Sequence, residues 1–209
     1  QLILGLQTVS YHPQLPVNQM NYSTEGLFPS LIHIIETDVN QEIKPYCLKA
    51  RQTDPVGVIK SNCGGWQSQG NPKDSLITDN LYKVFNKTIN NLHQCKLKIV
   101  NHWININGPH TYNSIHDHAM SDLSGVFYIY VPEDSGYIFF ENPQQFVAQA
   151  ELLSYTMEAR EQTEQHVHKF IKPIEGLLLV FPAYLRHGVL PNLSDEDRIS
   201  VSFNMKIIY

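Results

Sequence analysis

Leu177-Leu178-Leu179-Val180-Phe181-Pro182-Ala183-Tyr184-Leu185-Arg186-His187-Gly188-Val189-Leu190-Pro191-Asn192, followed after a short acidic loop by Arg198-Ile199-Ser200-Val201-Ser202-Phe203-Asn204, is the stretch on which the fold turns. Its first part reads as a buried apolar strand that turns at Pro182 and delivers a histidine. A polar ring there must find a partner, because an unpaired polar group in a core is costly. Its second part reads as a final apolar strand that opens with a cation. That cation is either a solvated surface charge or a guanidinium pointing inward, able to grip a carboxylate with two parallel hydrogen bonds. Ser200, two residues on, shares its face.

Working outward, the same short-strand pattern fills the chain from residue 97. Candidate strands at 97–107, 113–118, 124–131, 137–140, 166–173, 177–181, 187–190 and 198–208 are separated by Asn107-Gly108-Pro109, Pro132 to Gly136, Glu175-Gly176 and Pro191-Asn192. About eight short strands in roughly 110 residues predict a mainly β fold with flanking helices, a jelly roll of two facing antiparallel sheets. Residues 97–209 are therefore taken as the core. They carry an insert at 141–165, polar and helix-compatible from 148, that suits a lid or substrate loop.

Residues 27–96 read as an α/β support region packed on that core. It holds a strand at 31–35 and a helix at 40–50, capped by Asp38 or Asn40 and stopped near Asp54-Pro55. A glycine-hinged loop follows at 60–68. A second helix runs from Asp74 or Ser75 to about residue 94, with Ile77, Leu81, Val84, Phe85, Ile89 and Leu92 on one core-facing stripe. Residues 1–26, polar and turn-rich, are read as an N-terminal extension.

Two further histidines give the downstream one company. His116 and His118, two apart on a strand, point to one face and can meet a single ion, with Asp117 directed away if the strand is regular. An isolated pair of this kind is commonly a surface feature; a third imidazole from a distant stretch makes a metal site the sharper reading. His166 and His168 form a second such pair, either lining the cavity mouth or binding the ion themselves, though no fixed cation follows them at a matching place.

Composition narrows the function. The 209 residues are 42% hydrophobic and 17% charged, as in a globular protein, and the net charge of −5 comes without a Lys/Arg cluster, which disfavours nucleic acid. No apolar run approaches the ~20 residues needed to span a bilayer. The chain's opening has no basic n-region, so a cytoplasmic location is expected. Cys47, Cys63 and Cys95, odd in number and without Cys-x-x-Cys spacing, fit neither a disulfide framework nor a structural zinc site.

The run from Ser124-Gly125 to Val131, the Phe181-Pro182 … His187 … Pro191-Asn192 segment and Arg198 to Asn204 together resemble the iron(II)/2-oxoglutarate-dependent oxygenase superfamily. They are most similar to the largely uncharacterised oxygenases of marine bacteria and their phages. Phe28-Pro29 and Ser61-Asn62-Cys63-Gly64-Gly65-Trp66-Gln67-Ser68 extend the resemblance to roughly residues 27–208. It implies a double-stranded β-helix holding Fe(II), with 2-oxoglutarate and O2 as cosubstrates and open positions beside two histidines and a carboxylate. Residue by residue, it makes His116 the first ligand and His187 the distal histidine. Arg198 and Ser200 would bind the far carboxylate of 2-oxoglutarate, with Tyr128 and Asn204 beside them. Trp103, Asn105 and His168 are candidates for the substrate wall.

At the position of the usual acid this chain has His118. Three histidines could bind the ion, Asp117 could reach it through an irregular strand, or another molecule could complete a two-ligand site; position 118 has the right strand phase. The implied activity is hydroxylation of an unidentified substrate, a small metabolite or a protein side chain, with release of succinate and CO2. Two other readings compete: a three-histidine cupin-like dioxygenase that needs no 2-oxoglutarate, and a jelly-roll binding module without catalysis.

Overall fold

A computed structural model describes residues 29–70, 75–89, 96–144, 153–162 and 166–208. Within them two antiparallel sheets face each other. One runs in the order β1 (His33–Glu36), β9 (Leu177–Pro182), β6 (Leu123–Tyr130), β11 (Arg198–Ile208), β4 (Lys96–Asn107), β3 (Trp66–Gln67). The other runs β2 (Asn62–Cys63), β5 (Tyr112–His116), β10 (His187–Val189), β7 (Ile138–Glu141), β8 (His168–Ile171). Strands consecutive in sequence repeatedly fall in opposite sheets, which is the jelly roll expected from the strand count.

The large sheet is covered on both faces, and its sequences record this. In β11, Ile199, Val201, Phe203 and Met205 enter a core shared with helices α1 (Ile43–Thr53) and α2 (Ser75–Lys87), while Arg198, Ser200 and Ser202 line the space between the sheets. In β9, Leu178 and Val180 join the helix-side core and Leu177, Leu179 and Phe181 the inter-sheet core. A strand buried on both faces needs no polar alternation, which explains the unbroken apolar run at 177–181.

Both supporting helices match their sequence signals with shifted ends. Asn40 marks the start of the first: its side chain accepts the Glu42 N–H at 2.9 Å and its carbonyl the Ile43 N–H at 3.0 Å. The helix itself begins only at Ile43, so Pro45 falls in the first turn, where its missing N–H costs nothing. Along α2 the residues Ile77, Leu81 and Phe85 are buried, and the Phe85 ring lies 5.6 Å from that of Phe203 on β11. Leu92 and Cys95 lie outside the described residues, as do 1–28 and most of the insert, in which a short helix α3 (Met157–Gln162) is described.

The glycine-hinged loop has a definite architectural role. Its β2 pairs with β5 in one sheet and its β3 with β4 in the other, so the six residues Asn62 to Gln67 staple the two sheets at one rim. Gly64 makes the crossing with φ +79°, a backbone conformation that L side chains rarely adopt. The region expected to pack on the jelly roll thus also contributes edge strands to both sheets.

Asn192 ties the same rim, at the turn between β4 and β5 that Gly64 and Gly65 approach. Fully buried, it donates through Nδ2 to the carbonyls of Asn107 (2.8 Å) and Glu196 (2.7 Å), while its Oδ1 accepts from the Ser194 N–H and hydroxyl. One side chain therefore fixes both the turn after β4 and the loop that feeds Arg198 into β11. Asn192→Ala should lower the unfolding free energy in urea by about 2–4 kcal/mol, since it strands several buried polar groups at once.

Candidate active site

Strand pairing brings the separated histidines together. His116 at the end of β5 is the direct register partner of His187 at the start of β10. β5 stops at His116, so His118 is not positioned by strand phase as its spacing suggested. Its backbone N–H instead donates to Ala183 O at 2.9 Å, pinning the segment beyond the strand to the turn after β9. Ring centroids of the three lie 4.5 Å (His116–His187), 5.0 Å (His116–His118) and 5.1 Å (His118–His187) apart. One nitrogen from each lies within 4.8 Å of the others, the geometry of a cluster that could hold a metal ion.

The tautomers follow from the partners. Nδ1 of His116 lies 2.8 Å from Ser114 O, and Nδ1 of His187 lies 2.8 Å from Leu185 O. A carbonyl only accepts, so each Nδ1 carries the proton and each Nε2 keeps its lone pair for a cation. Burial keeps all three rings neutral. It pulls the His187 pKa down to about 3, assisted by the nearby His116 charge, and that of His118 to about 4, again with His116 adding. His116 is lowered too, mainly by burial, with the Ser114 carbonyl and Asp117 opposing. Phe181 and Phe140, with centroids 4.8 and 5.8 Å from the His187 ring, supply the apolar surroundings.

The same cavity, about 480 Å³ of space counting its open mouth, contains Arg198. Only 2% of this residue is exposed. Its Nη1 donates to the carbonyls of Ser135 and Gly136, but its Nε has no hydrogen-bond partner among the described residues. The buried Tyr128 hydroxyl and Asn105 Oδ1 lack partners among the described residues as well, and both residues line this cavity with Ser200. In register, Ser200 sits between Tyr128 on β6 and Asn105 on β4. Burial pushes the Tyr128 phenol up to about 12, so it is a donor and not an anion at neutral pH. Buried polar atoms left unpaired cost about 1–3 kcal/mol each. A cation, a hydroxyl donor and a set of imidazole lone pairs around one cavity are complementary to a dicarboxylate chelated to a metal ion.

Three expected site residues lie elsewhere. Asp117 is exposed and its carboxylate is not part of the imidazole cluster. His168, expected on the substrate wall, sits on edge strand β8 with its ring against Phe139 and Phe170. Phe139 points away from the inner side of the sheet, where neighbouring Phe140 meets His187; strand alternation therefore turns His168 outward. Asn204, expected beside the cosubstrate, accepts a hydrogen bond from Ser124 at 2.8 Å and lines a second groove, six residues along β11 from Arg198. Trp103, half-buried, lines both spaces and packs 5.6 Å from the His118 ring. Sequence reading missed Asn113, Ser61 and Ser202 on the cavity wall. The alternation Ser200, Ser202, Asn204 was the available signal for the last.

A family model described as "Putative 2OG-Fe(II) oxygenase" matches residues 101–204. No curated protein matches the sequence. Among solved structures, a prolyl-4-hydroxylase from Pseudomonas putida is similar at 14% identity and TM-score 0.59, over 85% of this chain and 92% of that one. A viral collagen prolyl hydroxylase from Paramecium Bursaria Chlorella virus-1, in a 2OG complex, is similar at 17% identity and TM-score 0.55, over 84% and 96%. HygX from Streptomyces hygroscopicus, with nickel and 2-oxoglutarate bound, is similar at 11% identity and TM-score 0.55, over 85% and 83%. At these identities the structural likeness speaks for the fold, and the family match favours the oxygenase reading over the cupin-like and binding-module alternatives. The chain belongs to the 2-oxoglutarate- and iron(II)-dependent oxygenases, oxidoreductases of the hydroxylase type.

Proposed function

We propose that the protein is a dioxygenase that hydroxylates its substrate through iron(II) held by His116, His118 and His187. Arg198, Ser200 and Tyr128 would bind the far carboxylate of 2-oxoglutarate. The observation that carries this is the set of free imidazole lone pairs sharing one cavity with a buried, under-bonded guanidinium. With iron bound, the site would supply oxidative chemistry in which O2 converts 2-oxoglutarate to succinate and CO2 while its other oxygen atom enters a substrate C–H bond.

The chain's own residues do the rest. The Ser114 and Leu185 carbonyls hold His116 and His187 in the ligating tautomer. Arg198, which stays protonated, gives charge-assisted hydrogen bonds to the cosubstrate's distal carboxylate, and the Tyr128 hydroxyl adds a neutral donor. Ile138, Val189 and Phe181 line the cavity and limit water around the cosubstrate. With His118 in place of an acid the ligand set is uncharged, so the chelating carboxylate of 2-oxoglutarate supplies anionic charge that the protein does not.

Among the described residues no helix is long and apolar enough to cross a membrane. The acidic balance leaves a small metabolite or a protein side chain as the substrate classes, with nucleic acid disfavoured.

Purified chain given Fe(II), 2-oxoglutarate and O2 should form succinate, uncoupled if no substrate is present; absence of turnover despite metal and cosubstrate binding would overturn the assignment. Arg198→Ala should weaken 2-oxoglutarate binding by at least ~100-fold in calorimetry while Mn2+ binding persists. His187→Ala should abolish the Mn2+ site. Because burial depresses the imidazole pKa values, protons compete with the ion only at low pH. Mn2+ affinity should therefore persist to lower pH than at a site of ordinary histidines, which lose affinity from about 6.5, and a loss already complete at about pH 6 would contradict the buried neutral set.

A further inference from the structure

A second groove, enclosing about 1130 Å³ of space open to solvent, lies on the other side of Trp103, His116 and His118 from Arg198. We propose that it takes a neutral polyhydroxylated ring, a saccharide or a cyclitol, as the substrate to be oxidised. This rests on the reading of the three imidazoles as the metal set, because the groove shares His116 and His118 with the inner cavity.

Its polar lining combines four side-chain amides with the hydroxyls of Ser61 and Ser114. Gln67, Gln69, Asn101 and Asn204 face it, with Trp103 at the metal end. Asn204 has its Oδ1 occupied by the Ser124 hydroxyl, which orients its Nδ2 as a donor; that nitrogen has no hydrogen-bond partner among the described residues. Gln67 is only 5% exposed, is in register with Asn105 on β4, and its side-chain amide has no partner among the described residues. Asn101, the register partner of Asn204, likewise has no hydrogen-bond partner for its side-chain amide among the described residues. Side-chain amides pair a donor with an acceptor a fixed distance apart, and so do the vicinal hydroxyls of a sugar ring, each of which gives and takes a hydrogen bond.

The remaining features fit the same class. Trp103 is the one aromatic residue besides the histidines in the described lining, and its indole suits the C–H face of a ring. Fixed charge is limited to Lys60 and Asp117, both exposed and opposite in sign, so nothing here selects a carboxylate or a phosphate. An extended peptide would need an unpaired strand edge. β2 and β3 are edge strands, but the outward carbonyl of β3, that of Gln67, already accepts the Val58 N–H at 2.9 Å and is closed to a peptide.

The test is calorimetric titration of the full chain, loaded with Mn2+ and 2-oxoglutarate, against a panel of neutral monosaccharides, disaccharides and inositols, with an end-capped tripeptide as the rival probe. At least one polyol should bind with a Kd in the millimolar range or tighter. Asn101→Ala and Gln69→Ala should each weaken it about tenfold, the worth of one neutral hydrogen bond, with 2-oxoglutarate affinity unchanged. Gln69 is exposed, so its variant keeps the test readable if Asn101→Ala misfolds. Binding of the peptide but no polyol, no binding at all to a chain that still takes Mn2+ and 2-oxoglutarate, or polyol binding indifferent to both substitutions would each overturn the polyol proposal alone. Failure to bind Mn2+ or 2-oxoglutarate would overturn the oxygenase site and this proposal with it.

Discussion

Burying a guanidinium between two sheets costs several kcal/mol of lost hydration, and the fold returns only part of this through the carbonyls of Ser135 and Gly136. Much of the surrounding architecture holds Arg198 where that cost has a use. Asn192 locks the loop that precedes it, and the ion pair between Arg51 on α1 and Asp197, 2.7 Å apart, anchors the neighbouring residue to the helical layer. On the helix side of β11, Ile199 to Met205 fix the strand in a dry core, so the polar side cannot roll outward to water. The cation is kept facing the cavity by apolar packing on the opposite face of its own strand.

The imidazole cluster is assembled on the same logic from the smaller sheet. Two of its rings are register partners across β5 and β10, and each is steered by a carbonyl two residues before it in sequence. The third hangs beyond a strand end on one backbone hydrogen bond to the β9–β10 turn. Sheet pairing therefore sets two ligands rigidly, while the third depends on a loop contact. Position 118, where this chain departs from the usual acid, is also the position whose placement is least constrained by the sheets.

Much of this was legible in advance, for identifiable reasons. Turn residues and apolar runs marked the strands because most of them, though not the exposed β8, have one or both faces buried; β4 and β11 were bounded to within a residue. Helix α1 was misjudged by three residues at each end because Asn40 caps a turn that precedes the helix. His168 was misassigned because spacing shows which residues share a face but not which face looks inward, and a one-residue phase decides it. Asn204 was placed beside the cosubstrate because it lies on the strand of Arg198, yet strand length carries it to a different groove.

Sequence alone determined the jelly roll, the identity of the three imidazoles and the cation, and their membership of one family, because turn chemistry, periodicity and residue type are local properties. Tertiary structure alone decided which groups converge. The pairing of His116 with His187, the capture of His118 by Ala183, the exclusion of Asp117 and the division into an inner cavity and an outer amide-lined groove all depend on contacts between residues tens of positions apart. No local pattern encodes such contacts; they exist only once the sheets have closed on each other.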